Sequence, residues 1–200
     1  ALTIGLGSGD DTFTVESTHT GTTELNTNAG NDTVTLETVS GVTTVNTAAG
    51  SDTVNVRTID AATAVNTGAD ADTVNVGSLA PATDGNVNGI GAVLTVNGES
   101  EADSLNVDDT GDVANNTGNL TASGITGLGM TGKIVYGTVE ALTIGLGSGD
   151  DTFTVESTHA GTTELNTNAG NDTVTLETIS GGTTVNTAAG SDTVNVRTIA

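Results

Sequence analysis

Residues 50–54 read Gly50-Ser51-Asp52-Thr53-Val54, and closely similar stretches lie on both sides of them. Gly9-Asp10-Asp11-Thr12-Phe13 and Gly30-Asn31-Asp32-Thr33-Val34 precede this stretch, and Ala71-Asp72-Thr73-Val74 follows it. The aspartate before the threonine recurs every 20 or 21 residues. This step is too short for a βαβ unit and too regular for a sandwich, but it matches one coil of a solenoid.

Apolar residues and threonines alternate on both sides of the recurring aspartate, which indicates short strands. Around Asp52 the alternating residues are Thr43, Val45, Thr47, Val54 and Val56. A further apolar position follows seven residues after the aspartate, at Val39, Ile59, Leu79, Ile179 and Ile199. We therefore expect each coil to contribute about three inward-facing segments.

Stacked coils would pair each strand in parallel with its equivalents at about 4.8 Å, which satisfies backbone groups that a short strand cannot satisfy alone. Like residues then lie upon like. Asn26, Asn46 and Asn66 would form an amide ladder, and Val34 and Val54 would stack in the interior. The predicted fold is all-β, a right-handed parallel β-solenoid with about 20 residues per coil, its handedness following from strand twist and crossover preference.

A longer repeat encloses the short one. Residues 141–200 copy residues 1–60 with four differences, so a tandem unit of 140 residues is present once and begins again. We interpret residues 1–76 as regular coils and residues 77–140 as longer, atypical coils of the same solenoid. Residues 141–200 are then the start of the next tandem unit, and the chain is expected to be part of a longer array.

The charge balance excludes some classes of partner. The chain carries 25 acidic and 3 basic residues, for a net charge of −22, and it has no cysteine. Such a surface repels nucleic acid and anionic membranes. No apolar run approaches the roughly 18 residues that cross a bilayer. We expect neither nucleic-acid binding nor membrane insertion, and no disulfides or thiolate metal sites.

Parallel stacking would place the recurring aspartates about 4.8 Å apart, where two unpaired charges repel by roughly 3–4 kcal/mol at an effective dielectric constant of 20. A hard divalent cation between coils reverses the sign of this interaction, and Ca²⁺ prefers oxygen ligands of this kind. Glycine in the turn leaves its carbonyl groups accessible. The candidate ligand positions are Asp10, Asp11, Asp32, Asp52, Asp72, Asp103, Asp150, Asp151, Asp172 and Asp192, with Gly9, Gly30 and Gly50 in the turns.

These turns resemble the nonapeptide G-G-x-G-x-D-x-U-x of RTX, or haemolysin-type, calcium-binding repeats. Residues 7–14 and 147–154 match it from the second glycine onward, whereas residues 27–35 keep the later glycine and the aspartate but lack both leading glycines. The resemblance implies several Ca²⁺ ions between successive coils. The family's β-roll has two such turns per coil and this chain has one, so calcium is expected along one edge only.

Proteins with such repeats are typically secreted or surface proteins of bacteria that fold on meeting extracellular calcium. The resemblance thus implies an extracellular structural protein, such as a surface fibre, filament or adhesin stalk, that binds calcium and associates with itself end to end or laterally. We expect no catalytic residues. Two alternatives stay open: a polysaccharide-modifying β-helix enzyme and an ice-binding solenoid. We expect His19 and His159 to be exposed and Tyr136 to pack in an atypical coil.

Overall fold

A computed structural model describes residues 1–197, and the predicted inward position at Ile199 lies outside this range. The described chain is all-β, as the repeats predict. Its strands are β1 (Leu2–Gly5), β2 (Thr12–Val15), β3 (Thr23–Asn26), β4 (Thr33–Leu36), β5 (Thr43–Asn46), β6 (Thr53–Val56), β7 (Thr63–Gly68), β8 (Thr73–Val76), β9 (Val93–Glu99), β10 (Ser104–Asp108), β11 (Thr117–Thr121), β12 (Gly124–Gly127), β13 (Lys133–Gly137), β14 (Ala141–Gly145), β15 (Thr152–Val155), β16 (Thr162–Asn166), β17 (Thr173–Leu176), β18 (Thr183–Asn186) and β19 (Thr193–Val196).

The strands form two sheets. The long sheet has 11 strands in the order β1-β3-β5-β7-β9-β13-β12-β11-β15-β17-β19, and the short sheet has 8 in the order β18-β16-β14-β10-β8-β6-β4-β2. Consecutive strands in the chain therefore alternate between the sheets, except in the run from β11 to β13. We call the connections from the long sheet to the short sheet the first edge, and those from the short sheet to the long sheet the second edge.

Parallel pairing places equivalent residues of successive coils next to each other. Leu25 pairs with Val45 and Val45 with Val65 in the long sheet, and Val34, Val54 and Val74 pair in succession in the short sheet. The 20-residue step in sequence is therefore one coil in space, because equivalent residues meet in register. The parallel β-solenoid is confirmed.

The interior is a thin layer of aliphatic side chains between the sheets. Val34 and Val54 are fully buried and Val74 is 2% exposed. The predicted amide ladder is also present on the long sheet: the Asn46 side-chain amide donates to Asn26 Oδ1 at 2.8 Å, and the Asn66 amide donates to Asn46 Oδ1 at 2.8 Å. Branched residues and amides thus replace a bulky core.

The third inward position of the coil is only partly as predicted. Val39 and Ile59 are fully buried and pair as an isolated parallel bridge. Leu79, however, is 50% exposed, so its predicted inward placement is wrong. Residues 77–92 leave the regular coil after β8, and Ile90 takes the buried position against Ile59 instead.

The middle of the chain contains an element that the repeat pattern does not show. β11 pairs antiparallel with β12, and β12 pairs antiparallel with β13, all within the long sheet. The chain then enters the short sheet at β14, which pairs in parallel with β10. β14 is the sequence copy of β1, yet β1 lies in the long sheet.

Within residues 1–197 no helix is long and apolar enough to cross a membrane.

Candidate functional site

A first column of carboxylates runs along the first edge. Each aspartate accepts, through Oδ1, the backbone N–H of the equivalent aspartate one coil earlier. The donor-to-acceptor distances are 2.8 Å for Asp11 to Asp32, 2.7 Å for Asp32 to Asp52, 2.7 Å for Asp52 to Asp72 and 2.9 Å for Asp72 to Asp103. The backbone N–H of Asp103 donates to Glu140 Oε2 at 2.8 Å, where this column ends.

A second column of carboxylates runs along the second edge, where the chain passes from the short sheet to the long sheet. Asn116 donates its backbone N–H to Asp151 Oδ1 at 2.7 Å, Asp151 donates to Asp172 at 2.8 Å, and Asp172 donates to Asp192 at 3.0 Å. Hydrogen bonds link the members within each column in one direction along the solenoid.

Calcium was expected along one edge only, but the aspartates predicted to hold it lie on both edges. Asp52 lies between β5 of the long sheet and β6 of the short sheet, on the first edge. Its copy Asp192 lies between β18 of the short sheet and β19 of the long sheet, on the second edge. The edges differ because the tandem copies enter the two sheets in opposite order.

The second oxygen of most column aspartates is buried without a partner. Asp32, Asp52 and Asp72 are each 2% exposed. No hydrogen bond within the described residues reaches Oδ2 of Asp11, Asp32, Asp52, Asp72, Asp103, Asp151 or Asp172. The Thr47 and Thr67 hydroxyls, which lie near Asp52 and Asp72, donate instead to the carbonyl groups of Thr67 and Gly98. A buried acceptor without a partner costs about 1–3 kcal/mol, and more when it is charged. Each of these oxygens therefore has lone pairs available to a cation or a proton.

The electrostatics of the columns agree with this. Burial raises the pKa of Asp52 to about 6, and the hydrogen bond from the Asp32 backbone offsets only part of the effect. Burial likewise raises the pKa of Asp103 to about 6, and it raises the pKa of Asp72 and of Asp151. No arginine neutralises the columns in the described residues, since Arg57 pairs with Glu37 at 3.0 Å and Arg197 with Glu177 at 2.9 Å.

Glycine has a conformational role at two of the three predicted turn positions. Gly30 and Gly50 have φ of +132° and +121°, and a Cβ at Gly30 would meet the backbone of Gly9. Asp70 and Glu101 stand at the equivalent positions with φ of 80° and 78°, so these coils keep the left-handed turn without glycine. A Cβ at Gly9, in contrast, would meet nothing within 4 Å.

The predicted ligands Asp10 and Asp150 lie outside the columns. Both are exposed. Asp10 Oδ1 accepts the backbone N–H of Asn31 at 2.8 Å, and Asp150 Oδ1 accepts that of Asn171 at 2.7 Å. Each carboxylate therefore connects adjacent turns on the solvent side of its column.

Sequence reasoning missed several polar residues at the change of edge. Asp109 is fully buried, and its Oδ1 accepts the Val87 backbone N–H at 3.0 Å while its Oδ2 accepts from the Asn116 side chain at 3.3 Å. Burial raises its pKa to about 7, with further contributions from Asp112, Asp151 and Asp108. The only signal was the acidic run at 108–112, because the coil spacing is lost there.

The two histidines differ in their surroundings. His19 is exposed, as predicted. His159 is half-buried, so its predicted exposure is wrong, and it packs edge-on against Tyr136 with the ring centres 5.8 Å apart. Tyr136 is 3% exposed and donates its hydroxyl to the Thr121 carbonyl at 2.8 Å, so its predicted packing role is confirmed.

A groove of about 340 Å³ lies over the short sheet, lined by Asn75, Asn106, Thr143 and residues 80–83, among others. Its one acidic lining residue is Asp108, whose Oδ2 accepts the Gly85 backbone N–H at 2.8 Å. Chemistry on an acidic polysaccharide needs basic residues to hold the substrate and acid–base groups beside them. The lining of this groove contains one carboxyl group, already hydrogen-bonded, and no basic residue, and the polysaccharide-modifying alternative stays a prediction.

Fit to a metal can be assessed from the oxygens present. No group of three or more acidic or histidine side chains that could hold one ion occurs in residues 1–197. A cation in a column would therefore draw only one or two carboxylates from side chains, and backbone carbonyls and water would complete its shell. Ca²⁺ accepts such mixed oxygen ligands. The buried unpartnered Oδ2 atoms are carboxylate oxygens of the kind such a shell uses.

Comparison with protein-family models, with curated proteins and with solved structures finds no match to this chain.

Proposed function

We propose that this protein is an extracellular structural repeat element, a stiff β-solenoid stabilised by Ca²⁺ bound along its carboxylate columns. The observation that carries the proposal is the set of buried carboxylate oxygens without a partner, repeated from coil to coil. An unpaired buried charge is costly, and a repeated one more so. A divalent cation offsets that cost where, within residues 1–197, both arginines pair with glutamates and not with column aspartates.

Column members such as Asp32 and Asp52 would hold the ion, since each has a buried Oδ2 atom without a partner. Bound Ca²⁺ supplies positive charge and accepts oxygen ligands in flexible numbers. The Oδ1 atoms stay engaged with backbone N–H groups and hold the carboxylates in place. Successive backbones approach closely at Gly30 and Gly50, and the carbonyl oxygens of these turns would be available as further ligands.

The structural role is supported by the form of the fold. Two continuous sheets run through the described chain, and each coil contacts mainly its neighbours. Such a chain extends in one dimension as units are added. The weak affinities usual for extracellular calcium modules suit a site of one or two carboxylates. We propose that the protein is secreted to the bacterial surface, where it forms a fibre, a filament or an adhesin stalk.

Circular dichroism during a calcium titration tests the proposal, starting from EDTA-treated protein and rising to about 10 mM. We expect a cooperative gain of β signal or, if β structure is already present, a rise in melting temperature. Asp52→Asn removes one column charge and should raise the midpoint calcium concentration several-fold. Glu24→Gln is the matched control, because it removes one charge from an exposed position and should leave the midpoint unchanged.

Two results would contradict the proposal. One is a β signal and melting temperature that do not respond to calcium. The other is a response that Asp52→Asn and Glu24→Gln change equally, since this would show that calcium acts only on the overall charge.

A further inference from the structure

The two copies of the tandem unit use the two sheets in opposite order. Residues 2–5 form β1 in the long sheet, whereas their copy in β14 lies in the short sheet. Residues 12–15 form β2 in the short sheet, whereas their copy in β15 lies in the long sheet. The pairing of β14 with β10 and of β15 with β11 establishes this exchange.

The exchange follows from the number of half-coils in the unit. Each strand from β1 to β10 occupies one half-coil, because consecutive strands alternate between sheets. β11, β12 and β13 stay in the long sheet, where β12 runs antiparallel to both neighbours. These three strands together occupy a single passage through the long sheet before β14 enters the short one. The unit therefore contains an odd number of half-coils.

We propose that successive tandem units present each of their surfaces on alternating sides of one continuous rod. In an array of such units, a surface that faces one side in the first unit faces the opposite side in the second. The carboxylate columns follow the same rule. The first column begins at Asp11 and ends at Glu140 on the first edge, and the second begins at Asn116 and ends at Asp192 on the second edge. Cation sites would thus line both edges, a consequence that rests on the proposed function, whereas the alternation itself does not.

The alternation determines what kind of interaction the rod can make. The outward threonine pair Thr14 and Thr35 lies on the short sheet, and its copy Thr154 and Thr175 lies on the long sheet. A ligand that recognises this surface would meet it on both sides of the rod. An array is therefore suited to bridge two partners, or two neighbouring rods, by means of a single surface chemistry.

Distances between spin labels test the alternation directly. The chain has no cysteine, so introduced cysteines are the only labelling sites. Ser100 and Ala160 lie on the first edge, and Ser148 lies on the second; all three are exposed. We would measure Ser100→Cys paired with Ala160→Cys, and Ser100→Cys paired with Ser148→Cys, by pulsed electron paramagnetic resonance. Ser8→Cys with Ser100→Cys gives a same-edge reference, because Ser8 also lies on the first edge. Ser8 is the residue of which Ser148 is the copy.

The expected result is a shorter distance for Ser100–Ala160 than for Ser100–Ser148. The first pair is separated only by two to four strand steps of about 4.8 Å, or roughly 10–19 Å. The second pair is separated by one to four such steps along the rod and, in addition, by at least the length of a four-residue strand across it, about 13 Å. If the copies shared an edge, Ser148 would lie on the side of Ser100 and the order of the two distances would be reversed. The reversed order would overturn the alternation.

The measurement is made in about 10 mM calcium and again in EDTA wherever the β signal persists. Failure of the alternation therefore shows as a reversed order of distances. Failure of the proposed function shows instead as a lack of response to calcium in the circular dichroism titration.

Discussion

Each column aspartate has two oxygens in different situations. Oδ1 of Asp52 accepts a backbone N–H at 2.7 Å, and Oδ2 is buried with no partner. The first contact orders the turn, because it satisfies an N–H that the strand ladder does not reach. The second leaves a site for positive charge. An aspartate serves both needs since its short side chain brings two oxygens close to the backbone.

At the residue scale, we predict that stability in EDTA increases as the pH falls. The folded-state pKa of Asp109 is about 7, well above its ordinary value of 3.8, because of burial. The folded protein thus binds a proton that the unfolded chain binds only below about pH 4. Ionised Asp109 costs up to about 4 kcal/mol above pH 7, and the cost is relieved as the pH falls toward 4.

The measurement is the melting temperature in EDTA between about pH 8 and pH 5. Asp109→Asn should raise the melting temperature at pH 8 and flatten its rise between pH 8 and pH 6. Asp52 and Asp103, with pKa values of about 6, account for the rise that remains at lower pH. Asp84→Asn, at an exposed position, is the control. Identical pH profiles for Asp109→Asn and the wild type would disprove the assignment.

At the scale of the element, side-chain ladders reinforce the backbone pairing of the strands. Asn26, Asn46, Asn66 and Asn97 are joined by amide hydrogen bonds of 2.7–2.8 Å along the outer face of the long sheet. A second ladder joins Asn55, Asn75 and Asn106 on the short sheet at 2.9–3.0 Å. Strands of four or five residues gain contacts in this way that their length alone does not provide.

We predict that Asn46→Ala lowers the free energy of unfolding by about 1–2 kcal/mol, because two side-chain hydrogen bonds are lost at a half-buried position. Thr44→Ala is the control on the same strand and the same face. Urea denaturation at constant calcium measures both variants. Equal losses for the two would show that the ladder adds nothing beyond ordinary strand packing.

At the scale of the whole molecule, the net charge of −22 opposes the compact state. The two arginine–glutamate pairs are largely on the surface and offset little of it. The long sheet also contains three more strands than the short one, 11 against 8. The antiparallel run at β11–β13 contributes two of these three extra strands, and it is also the element that moves the carboxylate column from one edge to the other.

We predict that calcium raises the melting temperature more than sodium chloride of equal ionic strength. Sodium chloride should raise it modestly in EDTA, because the Debye length falls to about 10 Å at 0.1 M and distant charges are screened. Buried column charges are screened much less, so only a bound cation relieves them. Equal effects of the two salts would mean that calcium acts through ionic strength alone.

The sequence by itself determined the strands of the regular coils, their parallel register and the continuity of a column within a unit. A constant step of 20 or 21 residues places Asp32 over Asp52 and Val34 over Val54 wherever coils stack. The same reasoning failed at Leu79, because the spacing there continued by chance while the chain had left the coil.

Only the tertiary structure decided which edge each column follows and which acid lies deepest. The antiparallel pairing of β11 with β12 and of β12 with β13 depends on contacts within one sheet. No repeat in residues 109–137 predicts this pairing. Asp109 is fully buried and accepts hydrogen bonds from Val87 and Asn116, which lie 22 and 7 positions away in the chain. A repeat period fixes neighbours one coil apart, whereas the number of half-coils in a unit depends on every connection the chain makes between its copies.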